Sequence, residues 1–143
     1  MTAKVLVIDD DLAITDLMSL MLTAQGFEVA ACNSGIEGVK WVRDLNPNVV
    51  LLDLMMPDLD GWKVCKALRT FSNVPILILS AINDPSMVAS ALDAGADDFL
   101  VKPVPSSVLV AHIKKMIRQT DSYDSFQSNE SAITIRNTHP LLS

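Results

Sequence analysis

Three aspartates in the sequence could hold a divalent cation and accept a phosphoryl group. Asp9 and Asp10 are adjacent, and Asp53 directly follows an apolar run. An aspartate can attack phosphorus and form an acyl phosphate if the charge on the transferring oxygens is neutralised. Mg2+ or Mn2+ takes oxygen ligands, so Asp10, Asp53 and the backbone carbonyl of Met55 are candidate ligands, with Asp9 nearby. The residue types therefore predict metal-dependent phosphoryl transfer to Asp53.

Other polar side chains could complete such a site. The ammonium of Lys102 can neutralise one phosphoryl oxygen, and the hydroxyl of Ser80 can donate a hydrogen bond to another. Asp58 and Asp60 form a second acidic group, and clustered carboxylates suit a hard cation. Converging carboxylates repel one another in a partly dry site, so a cation would be needed to offset the repulsion.

Apolar runs of strand length alternate with segments of helical length. Most runs are too continuous for a surface strand and are typical of strands buried in a parallel sheet. Between them, apolar residues recur at three- and four-residue steps, which predicts amphipathic helices. The pattern predicts an α/β fold, a flavodoxin-like (βα)5 three-layer sandwich with a five-stranded parallel sheet in the order 2-1-3-4-5. The predicted strands are residues 4–8, 27–32, 49–52, 75–79 and 99–101.

Residues at the predicted boundaries support this parsing. Ser34 and Asp60 can cap the helices that follow them, and Gly26 and Gly95 can end the helices before them. Asn46, which precedes a proline, breaks the second helix.

The predicted strand ends bring the reactive side chains together. In an open parallel sheet the binding crevice lies beyond the carboxyl ends of the strands where the strand order reverses, here between strands 1 and 3. All the reactive candidates follow or end a strand and therefore fall at this one edge. They are Asp9 and Asp10 after strand 1, Asp53 after strand 3, Ser80 at the end of strand 4 and Lys102 after strand 5.

Four segments match one family in residue type, order and spacing: VLVIDDD, VVLLDLMMPDLDGW, VPILILSA and GADDFLVKP. Together they resemble the receiver domains of two-component response regulators, including the chemotaxis regulator and the receivers of winged-helix transcription factors. The resemblance runs from residue 4 to about residue 119, so residues 1–119 are predicted to form the receiver domain. Residues 120–143 are polar and serine-rich and are predicted to be a flexible tail or linker.

The resemblance implies a role for each matching position. It implies that Asp53 is the phosphoacceptor, that Ser80 is the switch hydroxyl and that Lys102 contacts the phosphate. Asp9 and Asp10 would be the acidic metal pair. The resemblance also implies that the Lys102–Pro103 peptide bond is cis.

Three further positions concern switching and phosphate lifetime. Phe99 falls at the family's switch aromatic, whose inward turn remodels the face formed by helix 4, strand 5 and helix 5. Met55 stands where many relatives carry an amide or an acid, and Ala81 is small enough to leave the phosphoryl group accessible. We expect Met55 to hinder the hydrolytic water and to favour a long-lived phosphoprotein.

Each of these residues also has an ordinary structural interpretation. Asp10 or Asp11 could cap the first helix, and Asp53 could form a turn. Ser80 could merely end a strand, Lys102 could be a solvated cation, and an aromatic at position 99 could be plain core filling. The structural interpretations of the site residues would all have to hold together, and five matching residue types at one sheet edge argue against that.

Composition limits the remaining possibilities. A chain of 143 residues with 50% hydrophobic residues fits one domain. The sequence shows no apolar run long enough for a membrane helix and no signal peptide, so a cytoplasmic location is expected. The net charge of −6 argues against direct nucleic-acid binding. Cys32 and Cys65 lack the spacing of a metal site, so reduced, packed thiols are expected. His112 could suggest a phosphotransfer module, but such modules are helical bundles.

The sequence therefore predicts a signalling switch that is not an enzyme and that takes a phosphoryl group from a histidine kinase or a phosphotransfer protein. A phosphatase of the haloacid-dehalogenase type would need an acid where Met55 stands. A flavin carrier would not have a triply acidic first loop, and a phosphorylation-independent adaptor would have no need of the intact site. The output stays open, because the chain could act alone or be the receiver of a longer transcription factor.

A phosphorylation-dependent homodimer is a further hypothesis. In winged-helix regulators the active receivers pair through charges on the face of helix 4, strand 5 and helix 5. This chain fits only in part, because Ser90 and Val108 stand where charged residues are expected. The suitable charges are Asp97, Asp98, Lys114 and Arg118.

Overall fold

The computed structural model describes residues 2–120. Five parallel strands form one sheet in the order β2-β1-β3-β4-β5, which confirms the predicted fold class and strand order. The strands are β1 (Lys4–Ile8), β2 (Glu28–Cys32), β3 (Val49–Leu52), β4 (Ile76–Ser80) and β5 (Asp98–Val101), and the helices are α1 (Leu12–Ala24), α2 (Gly35–Leu45), α3 (Gly61–Arg69) and α4 (Pro85–Asp93). A fifth helix, α5, covers residues 106–120.

The predicted strand boundaries differ from the observed ones by one residue in three strands. β2 begins at Glu28 because the N–H of Phe27 closes the end of α1 by donating to the carbonyl of Leu22. β4 runs one residue later than predicted and includes Ser80, which pairs with Val101. β5 begins at Asp98 rather than Phe99.

Two apolar layers cover the sheet, one on each face. The layer on the α1 and α5 side contains Val5, Val7, Leu51 and Leu77, with Ile113 packed against them from α5. The layer on the α2, α3 and α4 side is made from the alternate strand residues, together with helix residues such as Val64 and Ala91. Since every residue of β3 and β4 is buried, these strands read as continuous apolar runs in the sequence.

The helix boundaries follow from local chemistry. Ser34 and Asp60 cap α2 and α3 as predicted, because their side-chain oxygens accept hydrogen bonds from backbone N–H groups of the first turn. Asn46 ends α2 in the left-handed conformation, with φ of 49°. Gly26 and Gly95 follow α1 and α4 with φ of 94° and 123°, values that glycine adopts without a steric cost.

β1 lies between β2 and β3, and the order in which strands are added to the sheet reverses there. Val5 pairs with Val29 of β2 on one side and with Val49 of β3 on the other. The connections that leave the carboxyl ends of β1 and β3 therefore diverge to opposite faces and open a crevice between them.

Two expectations concern the chain as a whole. Within residues 2–120, no helix combines the length and the apolar character needed to cross a membrane. The predicted tail, residues 120–143, lies outside the described residues except for residue 120, which is still helical.

Candidate functional site

Three carboxylates converge in the crevice at the carboxyl edge of the sheet. One oxygen from each of Asp9, Asp10 and Asp53 lies within 4.8 Å of the others. Asp9 and Asp10 directly follow β1, and Asp53 directly follows β3. The N–H of Asp53 donates to the carbonyl of Ile8 at 3.0 Å, so the two strand ends are tied together at the site. The arrangement brings together the three acids that the sequence analysis selected.

The carboxylate of Asp9 is buried, and each of its two oxygens accepts a hydrogen bond. Its side chain is 6% exposed; Oδ2 accepts a hydrogen bond from the Lys102 Nζ at 2.9 Å, and Oδ1 accepts one from the N–H of Asp11 at 2.9 Å. The same Lys102 Nζ lies 3.9 Å from Oδ1 of Asp53. The Lys102–Pro103 peptide bond is cis, as expected. Asp9 therefore holds the Lys102 ammonium beside Asp53, where the ammonium can also pair with a bound anion.

The ionisation of Asp53 depends on this surrounding charge. Burial raises the pKa of its carboxyl above the ordinary value, the Lys102 ammonium lowers it by less, and the carboxylates of Asp9 and Asp10 raise it. Because the folded pKa is the higher one, ionised Asp53 costs stability as the pH rises through that pKa. Additional positive charge in the crevice would favour the ionised, nucleophilic form.

Asp11 and Asp10 have different roles, although they are adjacent. Asp11 is the N-cap of α1, and its Oδ1 accepts hydrogen bonds from the N–H groups of Ala13 and Ile14 at 3.0 and 3.4 Å. Asp10 is exposed, and within residues 2–120 its carboxylate makes no hydrogen bond. Its oxygens are therefore available to a ligand in the crevice.

The second acidic group does not join this cluster. Asp60 accepts a hydrogen bond from the N–H of Lys63 and caps α3. Asp58 accepts hydrogen bonds from the start of α2, and these bonds lower the pKa of its carboxyl to about 2. Within residues 2–120, the group of acids placed to hold a metal ion includes neither Asp58 nor Asp60. Both carboxylates instead accept hydrogen bonds from backbone N–H groups at helix starts.

Of the predicted switch residues, Ser80 ends β4 and Phe99 is the second residue of the neighbouring strand β5. Ser80 is buried at the end of β4, and its Oγ accepts a hydrogen bond from the N–H of Ile82 at 3.2 Å. Phe99 of β5 is partly buried and packs against the core layer on the α4 side. Ala81 is exposed beside the crevice. Ser80 is held in β4 by the sheet, because the N–H of Lys102 donates to its carbonyl at 2.9 Å.

The loop that carries Met55 runs from Asp53 to the start of α3. The side chain of Met55 is 60% exposed. The loop folds tightly back on α3, since a Cβ added to Gly61 would lie 2.8 Å from the carbonyl oxygen of Asp53 and 2.7 Å from the Cα of Leu54. Both atoms belong to the backbone, so only glycine fits at this point. The helix start therefore holds the loop of Asp53 in place.

The donor set fits a hard divalent cation. It consists of carboxylate oxygens only, with the backbone carbonyl of Met55 in the same loop as Asp53. Asp10 has free lone pairs, and the pKa of Asp53 is raised in part by unbalanced negative charge. Mg2+ and Mn2+ accept such ligands and usually keep several waters. Asp10, Asp53 and Met55 would hold the cation, with Asp9 beside them.

Sequence reasoning missed two polar contacts that reach the site. The amide of Asn33 donates to the carbonyl of Asp9, and Asp58 binds the loop of which Asn33 is part. Asn33 stands in no motif and is 24 residues from Asp9, so no pattern could have indicated it. Asp58 was noted as one of a group of acidic residues, but the sequence does not indicate that its carboxylate lies at the start of α2.

Comparison with known sequences identifies a family. Residues 5–114 match the model of the response regulator receiver domain. The chain is 41% identical over 139 residues to the transcriptional regulatory protein AfsQ1 of Streptomyces coelicolor, covering 92% of this chain and 62% of the relative. It is 39% identical over 121 residues to the DNA-binding response regulator MtrA of Mycobacterium tuberculosis, covering 85% of this chain and 53% of the relative. The chain thus spans little more than half the length of these relatives.

Solved structures agree with the sequence comparison. The receiver domain of the Francisella response regulator 1452 aligns with a TM-score of 0.79 and 32% identity, covering 83% of this chain and 99% of that chain. A CheY-like receiver domain protein from Methanospirillum hungatei aligns with a TM-score of 0.81 and 25% identity, covering 86% and 99%. The fold and the carboxylate crevice are therefore found together with a sequence match over most of the chain.

Proposed function

Because the chain belongs to the family of response regulator receiver domains of two-component systems, we propose that Asp53 is its phosphoacceptor. The donor would be a histidine kinase or a phosphotransfer protein, and the reaction would require Mg2+ or Mn2+. The observation that carries the proposal is the ion pair between the buried Asp9 and the partly buried Lys102, which holds an ammonium beside the partly buried Asp53 carboxylate. The cytoplasmic location predicted from the sequence stays part of this proposal.

The proposed transfer exchanges one bond to phosphorus for another. An oxygen of Asp53 forms the new bond as the bond to the donor nitrogen breaks, and the donor imidazole leaves with the electron pair. A bound cation would supply charge neutralisation for the transferring oxygens and relieve the repulsion among the carboxylates. The Lys102 ammonium would neutralise a second oxygen, and the hydroxyl of Ser80 could turn from the N–H of Ile82 toward a third.

The same contacts would couple phosphorylation to the output surface. If Ser80 moved toward the phosphoryl group, it would release the N–H of Ile82 and shift the β4–α4 loop. Phe99 is only partly buried, and in this proposal its ring turns inward beside that loop. We propose that this change remodels the face of α4, β5 and α5. Moving a population from 1:99 to 99:1 needs about 5.5 kcal/mol, which charge-assisted phosphate contacts could supply in large part.

In this proposal the chain is a switch and not an enzyme that turns over an external substrate. A dehalogenase-type phosphatase would need an acid at the position of Met55. This chain covers 62% and 53% of the relatives AfsQ1 and MtrA, so the output could be a DNA-binding domain outside this sequence or a separate partner. With a net charge of −6, this chain itself is not expected to bind nucleic acid.

The phosphorylation-dependent homodimer stays a prediction. Asp97, one of the charges suggested for it, already pairs with Arg69 at 2.9 Å within the chain. Asp98 lies 3.7 Å from the imidazole of His112. A dimer that used these carboxylates would have to exchange or share these internal partners.

Intact-mass spectrometry with acetyl phosphate tests the proposed function. We expect the native chain to gain one phosphoryl group in the presence of Mg2+, and to lose it at alkaline pH because acyl phosphates hydrolyse there. With a chelator in place of Mg2+ we expect no gain. A phosphoryl group that is stable to alkali or that forms equally well in chelator would contradict an aspartyl phosphate formed at a metal site.

Met55 should set how long the phosphoryl group survives. Met55 is exposed and follows Asp53 by two residues, so its thioether chain would exclude the attacking water, whereas an asparagine could hydrogen-bond that water. The variant Met55→Asn is expected to lose its phosphoryl group several times faster than the native chain. Phosphoprotein decay at constant Mg2+, followed by intact mass, measures this, with Met87→Asn, an exposed methionine of α4, as the control. Equal lifetimes would show that Met55 does not shield the site.

A further inference from the structure

We propose that the β2–α2 connection, residues 33–36, is a brace that sets the spacing between the two loops that carry the carboxylates. In this assignment Asn33 and Asp58 are positioning residues for the metal site, although neither is placed to bind a ligand in the crevice. The inference rests on the proposed function, because it concerns the affinity of that site for its cation.

One arm of the brace holds the first acidic loop. The amide Nδ2 of Asn33 donates to the backbone carbonyl of Asp9 at 2.8 Å and to Oγ1 of Thr15 at 3.0 Å. Thr15 is buried in α1, and its hydroxyl donates to the carbonyl of Leu12. The carbonyl of Asp9 belongs to the peptide unit that joins Asp9 to Asp10, and that unit is planar. Fixing this carbonyl therefore fixes where the backbone of Asp10 begins.

The other arm holds the loop of the nucleophile. The carboxylate of Asp58 accepts hydrogen bonds from Oγ of Ser34 at 3.0 Å, from the N–H of Gly35 at 3.2 Å and from the N–H of Ile36 at 3.0 Å. Asp58 stands five residues after Asp53 in the same loop. These hydrogen bonds lower the pKa of the Asp58 carboxyl to about 2, so Asp58 is ionised at neutral pH.

Close packing makes the brace stiff as well as hydrogen-bonded. A Cβ added to Gly35 would lie 2.5 Å from the carbonyl oxygen of Leu59, so the start of α2 rests directly on the loop of Asp58. A Cβ added to Gly38 would lie 2.5 Å from Cδ1 of Ile8, the last residue of β1. The helix that begins at the brace therefore touches both sides of the crevice.

The consequence is a spacer built from one short segment. Within residues 33–36, the side chain of Asn33 binds the Asp9–Asp10 loop, and the next three residues donate hydrogen bonds to Asp58 of the Asp53 loop. Loss of either arm would leave the three carboxylates of the crevice in place but let the two loops that carry them separate. Side chains that orient metal ligands without touching the metal typically contribute about tenfold or more to affinity.

The test is the affinity of the native chain, Asn33→Ala and Asp58→Asn for Mn2+, measured by electron paramagnetic resonance of the free ion. We expect about tenfold weaker binding for each variant. We also expect the Mg2+ concentration that half-saturates phosphorylation to rise, while the rate at saturating Mg2+ stays near the native rate. A residue that only stabilised the fold would not weaken cation binding while leaving the rate at saturating Mg2+ unchanged.

Asn48→Ala is the matched control. The Oδ1 of Asn48 accepts a hydrogen bond from the N–H of Lys4 at 2.7 Å, so it also joins a side-chain amide to the backbone of β1, but at the opposite edge of the sheet. It should lower the urea midpoint of the metal-free chain and leave the Mn2+ affinity at the native value. Native-like affinity in Asn33→Ala and Asp58→Asn would overturn the brace alone. Failure of the native chain to bind Mn2+ would overturn the proposed metal site and the brace with it.

Discussion

Replacing Asp53 by asparagine is expected to abolish phosphoryl incorporation. The amide oxygen of asparagine is a poor nucleophile, and it cannot form a stable acyl phosphate. The substitution keeps the shape of the side chain in its partly buried position. Because burial raises the pKa of the Asp53 carboxyl, the native chain loses stability on ionising it, so the neutral variant should be at least as stable at pH 7. Intact mass after treatment with acetyl phosphate and Mg2+ measures the effect.

A matched control separates the nucleophile from surface acids. Asp44 is an exposed carboxylate on α2, away from the crevice, and Asp44→Asn should incorporate one phosphoryl group at the native rate. Urea unfolding of both variants without metal checks that each is folded. An alkali-labile phosphoryl group on Asp53→Asn would mean that another carboxylate accepts it, and Asp10 would then be the first to examine.

Replacing Lys102 by methionine should slow phosphoryl transfer by about 100- to 1,000-fold, the usual loss when one charge-stabilising donor is removed from an active site. The Lys102 Nζ is held 2.9 Å from Asp9 and 3.9 Å from Asp53, and methionine keeps most of the length of the side chain without its charge. The rate of incorporation from acetyl phosphate at saturating Mg2+ measures the loss. Saturating metal ensures that the rate reports the missing ammonium and not weaker cation binding.

The same substitution should also change stability. Without Lys102, the buried carboxylate of Asp9 has no cationic partner, so the metal-free variant should unfold at lower urea than the native chain. Mg2+ should recover part of that loss. Lys63→Met, at an exposed position of α3, should match the native chain in both rate and stability. A Lys102→Met variant that transfers phosphate within a factor of a few of the native rate would remove the ammonium from the proposed mechanism.

Much of the architecture could be predicted because parallel sheets have simple rules. β3 and β4 are buried on both faces, so their sequences are uninterrupted apolar runs, and the alternation with helices implies a parallel sheet. Once the strands are placed, their carboxyl ends must share one edge. Asp9, Asp10 and Asp53 could therefore be assigned to one cluster before any distance was known.

The parts that escaped prediction depend on contacts without a sequence period. The bond from Asn33 to Asp9 joins two loops, and nothing in either segment indicates the other. Asp58 has the residue type of a metal ligand, and only the position of α2 makes it a helix cap. Asp97 has the residue type for an intermolecular charge pair, but Arg69 of α3 pairs with it beside the first residue of β4. Sequence gives the chemical type of these residues but not the direction in which each loop turns.

The position of β1 between β2 and β3 also has a consequence for chain entropy. Val5 pairs with Val49, which closes a loop about twice as long as those closed when Lys4 meets Glu28, Val50 meets Ile76 or Leu77 meets Asp98. Each doubling of loop length adds roughly 0.6 kcal/mol to the entropic cost of closure. The crevice thus lies on the most entropically costly junction of the sheet. A cation shared by Asp10 and Asp53 would act as a reversible cross-link across that junction. It would stabilise the pairing of β1 with β3 more than a cross-link across any of the shorter loops would stabilise its own strand pair.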